Sequence, residues 1–214
     1  MKKLLTSFSF LCCIYVGNAQ VTEQEDTYPQ PLEVEPCYFS SYSINSNGEV
    51  ENLQTESVMI EEWTTPIRGR IIDFTLIKAS KDLILLVEIH EDAEAKLQPI
   101  CFGSKTKIEF KLENGKTVSL PQIGPKRCGY LNIADDEAPY YNITNLAYFS
   151  ISDDAAKQLM SSKTYLGSLL SNQYELDFVF KSEIYDEVND LMIYPELYFI
   201  SELECMLNPI IPKD

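Results

Sequence analysis

The side chains in this 214-residue sequence that could do chemistry are one imidazole, two runs of carboxylates, a set of aromatic rings and six cysteines. His90 is the only histidine and stands among Glu88, Glu91, Asp92 and Glu94. A histidine so placed is a candidate general base or metal ligand. General-base catalysis of acyl or phosphoryl transfer also needs an oriented nucleophile. The chain has no GxSxG, HExxH, Walker or GxGxxG pattern to supply one. His90 therefore reads as a strand-end residue on a polar face, and no catalytic residue is assigned.

The carboxylates fall in two clusters. Asp135, Asp136 and Glu137 precede Tyr140, Tyr141 and Asn142, while Glu183, Asp186, Glu187 and Asp190 come later. Oxygen-rich loops of this kind can hold Ca²⁺, but neither cluster has the DxDxDG spacing of a calcium loop. The expectation is a solvated acidic surface with no cofactor, the alternative being a Ca²⁺ site at Asp135, Asp136 and Glu137. Carboxylate pairs can also hydrolyse glycosidic bonds, and Trp63 and the thirteen tyrosines offer rings that stack on sugars. The residues singled out for ligand binding are Tyr140, Tyr141, Asp135, Asp136 and Glu137. Asn142-Ile143-Thr144 fits the N-glycosylation pattern, which matters only in a eukaryotic secretory pathway. The leader described next reads as bacterial, so Asn142 is expected to be an unmodified loop residue.

Composition bounds the rest. The chain is 45% hydrophobic and 23% charged, the range of an ordinary folded protein. Acids outnumber Lys and Arg by 33 to 17, and a net charge of −16 repels phosphate, which argues against nucleic acid and anionic membrane partners. Lys2 and Lys3, the apolar stretch Leu4 to Val16 and the small-x-small site Gly17-Asn18-Ala19 read as a signal peptide cleaved before Gln20. Its loss removes two lysines and no acids, which takes the net charge from −16 to −18. The apolar stretch is too short for a bilayer core of ~30 Å, so no membrane insertion is expected. Cys13 lacks the small residues that a lipoprotein acceptor needs just before it.

Cleavage also removes Cys12 and Cys13 and leaves Cys37, Cys101, Cys128 and Cys205, an even number in an exported chain without CxxC pairs. That pattern reads as two disulfides. Residues 20–36 are acidic and Pro-containing, a flexible lead-in, and residues 37–214 are expected to form a single globular domain.

Strand signals run through Arg70–Ile77, Leu83–His90, Leu146–Ile151 and Tyr174–Lys181. The segment from Lys107 to Leu120 is a hairpin around Asn114-Gly115. A two-residue turn there would send its two apolar sets to opposite faces. A three-residue loop with Gly115 in a left-handed G1 bulge pairs Leu112 with Lys116, Phe110 with Val118 and Ile108 with Leu120, and gathers the apolar side chains on one face. The ends of this ribbon bring Cys101 near Cys128, and elimination pairs Cys37 with Cys205. Two short helices complete the pattern. One covers about 152–161 with Ser152 as its cap, and the other about 195–207, opened by Pro195, with Phe199, Ile200, Leu203, Met206 and Leu207 on one stripe.

These features predict an α+β, strand-dominated fold, mostly antiparallel sheet or sandwich, stabilised by disulfides. The function expected is that of an exported acidic binding or structural protein without an enzymatic centre, periplasmic or extracellular, meeting a protein or glycan partner. A secreted glycan-active hydrolase and a Ca²⁺-stabilised binding module are the alternatives.

Overall fold

The computed structural model describes residues 38–133, 141–172, 174–187 and 189–209. Among these residues strands dominate, the sheets are antiparallel and there are two α-helices. The larger sheet has seven strands: β1 (Phe39–Ile44), β2 (Val50–Thr55), β3 (Val58–Thr65), β4 (Arg68–Ala79), β5 (Asp82–Ala93), β10 (Tyr130–Ile133) and β11 (Tyr141–Ile151). Its order is β1-β2-β4-β5-β11-β10, with β3 beside the first half of β4. The second sheet has the order β13-β12-β7-β8, formed by β7 (Lys107–Leu112), β8 (Thr117–Pro121), β12 (Thr164–Leu170) and β13 (Glu175–Val179). Two small ribbons pair β6 (Cys101–Phe102) with β9 (Arg127–Cys128) and β14 (Ile184–Asp186) with β15 (Leu191–Ile193).

Alternation explains the sandwich. On β4, Ile72, Phe74 and Leu76 are buried; on β5, Leu85, Val87 and Ile89; on β13, Leu176 and Phe178. Each set lies at period two and therefore on one face of its strand. Phe74 is the hub of the core: it makes edge-on contacts with Phe110, Phe178, Phe180 and Tyr198 at centroid distances of 5.6 to 6.0 Å. The hairpin has the bulged register, with Ile108 opposite Leu120 and Phe110 opposite Val118, Leu112 N donating to Lys116 O at 2.9 Å, and Gly115 at φ +82°.

Helix α1 (Asp153–Met160) starts where Ser152 Oγ accepts from Ala155 N at 3.2 Å. Pro195 opens a 3-10 turn (Pro195–Leu197) that leads into α2 (Tyr198–Leu207). The stripe of α2 differs from expectation: Tyr198, Phe199, Leu203 and Met206 are buried and Leu207 is exposed, because the aromatic cluster draws the helix down at its first residue. Cys101 and Cys128 face each other in the β6–β9 ribbon and form a disulfide. Cys205 is disulfide-bonded; its expected partner Cys37, like the leader and lead-in, lies outside the described residues. Among the described residues no helix is long and apolar enough to cross a membrane.

A second difference concerns β11. Its strand begins at Tyr141 and not at Leu146, so Tyr141 and Asn142 are strand residues where the sequence reading had a loop. The cause is tertiary: β5 supplies a pairing partner for every residue of β11, from Tyr141 opposite Ala93 to Ile151 opposite Leu83.

Candidate functional site

The chemistry gathers at one end of the seven-stranded sheet. The start of β4, the end of β5, the start of β11 and the end of β10 lie in one register row, Arg68 to Ala93 to Tyr141 to Ile133. Thr65 of β3 pairs with Arg68 across the tight β3–β4 turn, where Thr65 Oγ1 accepts from Arg68 N at 3.1 Å. Period-two alternation carries Arg68 and Arg70 onto the same face as Ile72 and Phe74, and Glu91 onto the face of Ile89. The inner face of the sandwich therefore turns from apolar to charged at this end.

The charges are paired. Arg68 Nη2 donates to Glu91 Oε1 at 2.7 Å, and Glu91 is only 4% exposed. Arg70 Nη2 donates to Glu61 Oε2 at 2.6 Å, and the other oxygen of Glu61, itself 8% exposed, accepts from Val179 N at 2.9 Å. A β-bulge between Met59 and Glu61 turns both Ile60 and Glu61 inward. Arg70 also stands over the ring of Trp63, 5.9 Å from its centroid, and Trp63 is 44% exposed. The hydroxyl of Tyr174 is pushed up to about 12 by burial first and by the Glu91 carboxylate second.

Two concavities flank these pairs. One, of about 380 Å³, is bounded by Arg68, Glu91, Lys96, Gln98, Ser171 and Tyr174 among others. The other, of about 330 Å³, runs over the β3–β4 turn from Glu62 and Thr64 to His90 and Asp92.

His90 lies on the outer face of the same end. Its Nδ1 is 3.2 Å from Thr144 Oγ1 and its Nε2 is 3.6 Å from Asp73 Oδ2. Asp73 is raised to about 6, chiefly by burial and further by Glu88 and Asp186, while His90 acts to lower it. Asn142 Nδ2 donates to Asp92 Oδ1 at 2.6 Å, a cross-strand pair that aligns β11 with β5.

Of the residues singled out from the sequence, Tyr141 is half-buried in β11 at this sheet end; Asp135, Asp136, Glu137 and Tyr140 lie outside the described residues. The second acidic cluster serves the β14–β15 turn. Asp186 accepts from Asn189 N at 3.1 Å and from Asn189 Nδ2 at 2.8 Å, and Asp190, at φ +52°, accepts from the Tyr185 hydroxyl. Among the described residues no group of three or more His, Cys, Asp or Glu side chains could hold a metal ion. Sequence reasoning missed Arg68, Arg70, Glu61 and Tyr174. The available signal was that two of the chain's three arginines stand two residues apart just after Pro66-Ile67, at the start of a strand. Compared with protein-family models, with curated proteins and with solved structures, the chain matches none.

Proposed function

We propose that this chain is an exported acidic binding protein, periplasmic or extracellular, without an enzymatic centre. It engages a protein or glycan partner through the sheet end that carries Tyr141, Trp63, Arg68 and Arg70. What supports the reading is one observation: the Arg70 guanidinium stands over an exposed tryptophan ring and itself borders a concavity at this sheet end, in a chain whose acids outnumber Lys and Arg by 33 to 17. A flat aromatic ring beside fixed hydrogen-bonding groups is the chemistry that receives a sugar ring or an aromatic side chain. Glu61 and Glu91 are the best-buried carboxylates among the described residues, and each is fixed by a charge-assisted hydrogen bond from a guanidinium, which gives this end a rigid polar frame. The net charge of −16 argues against nucleic acid as the partner.

Trp63 is the only tryptophan, so its fluorescence reports on this sheet end alone. Titration with a panel of soluble oligosaccharides and tyrosine-containing peptides is expected to give saturable quenching by at least one class. The same quenching is expected to disappear in Arg70→Met, and mass spectrometry is expected to recover the ligand intact. Recovery of cleaved oligosaccharide overturns the reading in favour of a hydrolase. An emission spectrum unmoved by the whole panel removes this sheet end as the binding surface.

A further inference from the structure

The opposite flank of the seven-stranded sheet ends in β1. Among the described residues it pairs with β2 alone, and none of them bonds to the backbone amides and carbonyls of its second edge. Tyr42 and Ile44 are about half exposed, and Tyr38 just before the strand is 68% exposed. The run from Tyr38 to Gly48 holds no charged residue and no proline, in a chain with 33 acids and 17 basic residues.

An open edge of this composition is a template for another strand, and natural sheets normally guard such edges with charges, proline or a covering segment. The edges at β13, β8 and β3 carry such guards. β13 has exposed Glu175 and Asp177, and its Val179 N–H is taken by Glu61. β8 ends in Pro121. The free side of β3 is crossed by Lys181, whose Nζ donates to Glu62 O at 3.4 Å. β10 is uncharged too, but it is only four residues long.

We propose that β1 is a docking edge that takes up a cationic, extended segment of another protein as an eighth strand of this sheet. The backbone of β1 supplies the hydrogen bonds, as in other strand-addition complexes. The charge comes from what surrounds it. Glu49 and Glu51 stand exposed at the β1–β2 end and Glu56 just beyond β2, while the neighbouring Lys78 is engaged by Met206 O at 3.3 Å. A second copy of this chain would bring another net charge of −16 to the same edge, so charge complementarity selects a basic strand. This surface is independent of the Trp63 end and stands or falls separately from it.

The test uses the full mature chain and fluorescence anisotropy with three labelled nonapeptides of alternating Thr and Val. One has lysine at both ends, one has glutamate at both ends, and one is the lysine peptide with its two central consecutive amides N-methylated. The lysine peptide is expected to bind saturably. The other two are expected to bind at least tenfold more weakly, and raising salt from 50 to 500 mM is expected to weaken the lysine peptide further. Ser41→Pro is expected to abolish binding. Tyr42→Lys, which keeps the strand but places a cation on the edge, is expected to reduce it tenfold or more with an unchanged far-ultraviolet circular dichroism spectrum. No saturable binding of the lysine peptide overturns the proposal, as does equal binding of the N-methylated or glutamate peptide. A dimer in light scattering that Tyr42→Lys dissolves also overturns it, because the occupant is then a second copy.

Discussion

Glu202 gives the most quantitative handle on this fold. It lies on α2, and burial first, with the Glu56 carboxylate second, raises it from the ordinary 4.5 to about 7. Tyr198, one turn earlier, is buried in the aromatic cluster and held well above its ordinary value, by burial first and then by Glu202. Lys78 reaches the same helix but is engaged by the Met206 carbonyl. For a carboxyl raised on folding, the native state binds a proton that the unfolded chain has already released, so stability falls as pH rises from about 4.5 through about 7. Each pKa unit corresponds to about 1.4 kcal/mol, which sets a ceiling of about 3 kcal/mol across that window. Glu202 is partly exposed, and solvent screening brings the expected figure to about 1–2 kcal/mol. Glu202→Gln removes the charge and keeps the shape. The variant is expected to match the parent at pH 4.5 and to exceed it by about 1–2 kcal/mol at pH 8, a rise of about 3–6 °C in Tm for a chain of this size. Urea denaturation followed by circular dichroism at half-unit pH steps measures it. A gain of equal size at pH 4.5 and pH 8 refutes the reasoning, since it would come from something other than ionisation, and so does no gain at pH 8.

Two further substitutions probe the packing around the site. Arg70→Met leaves Glu61 buried and without its cation; it is expected to cost about 3 kcal/mol, the low end for a broken buried pair because Val179 N–H still reaches Glu61. Adding Glu61→Gln to that variant is expected to restore most of the loss in urea melts, and a loss under about 1 kcal/mol for Arg70→Met would show that the pair is not buried as described. Gly167→Ala places a Cβ 2.2 Å from Phe178 Cζ, so the ring must move within the aromatic core. The expected cost is about 1–3 kcal/mol by differential scanning calorimetry, with partial recovery when Phe178→Leu is added.

The local part of the fold was legible in the sequence. Asn114-Gly115 between alternating runs defines its own hairpin register, because only the bulged loop gathers Ile108, Phe110, Leu112, Val118 and Leu120 on one face. Ser152 followed by two aspartates likewise marks the start of α1. Other strands gave no such signal. β1 reads FSSYSI, with Phe39 packed against the core and most of the remaining residues exposed, and β12 carries Gly167 at its centre, where the Phe178 ring occupies the space of a side chain. The site was illegible for a different reason. Arg68 meets Glu91 at a sequence separation of 23 and Val179 meets Glu61 at 118, contacts that depend on strand order and on a bulge at Met59–Glu61. Period and propensity act over a few residues and carry no information about which strand lies beside which.

The largely buried Arg70–Glu61 pair and the buried Glu91, held by half-exposed Arg68, also bear on the proposal that this end of the sheet binds. Taking a carboxylate and a guanidinium out of water costs more than a well-packed pair of apolar side chains, and replacing buried ion pairs by apolar residues is often neutral or stabilising. The rows just beyond them show that this sheet can be filled with aliphatic and aromatic groups: Ile72 opposite Ile89, Phe74 opposite Val87, Leu76 opposite Leu85. Stability alone would extend that pattern by one more row to Arg70 and Glu91. The sequence instead places there two of its three arginines, its only tryptophan and the two best-buried acids among the described residues. Holding Glu61 and Glu91 by guanidinium groups leaves the remaining donors of half-exposed Arg68 and the ring of Trp63 directed by the fold, so that the partner proposed above would find them already oriented. A polarity that the sandwich does not need for its own stability is the physical ground on which a binding surface is proposed at this end.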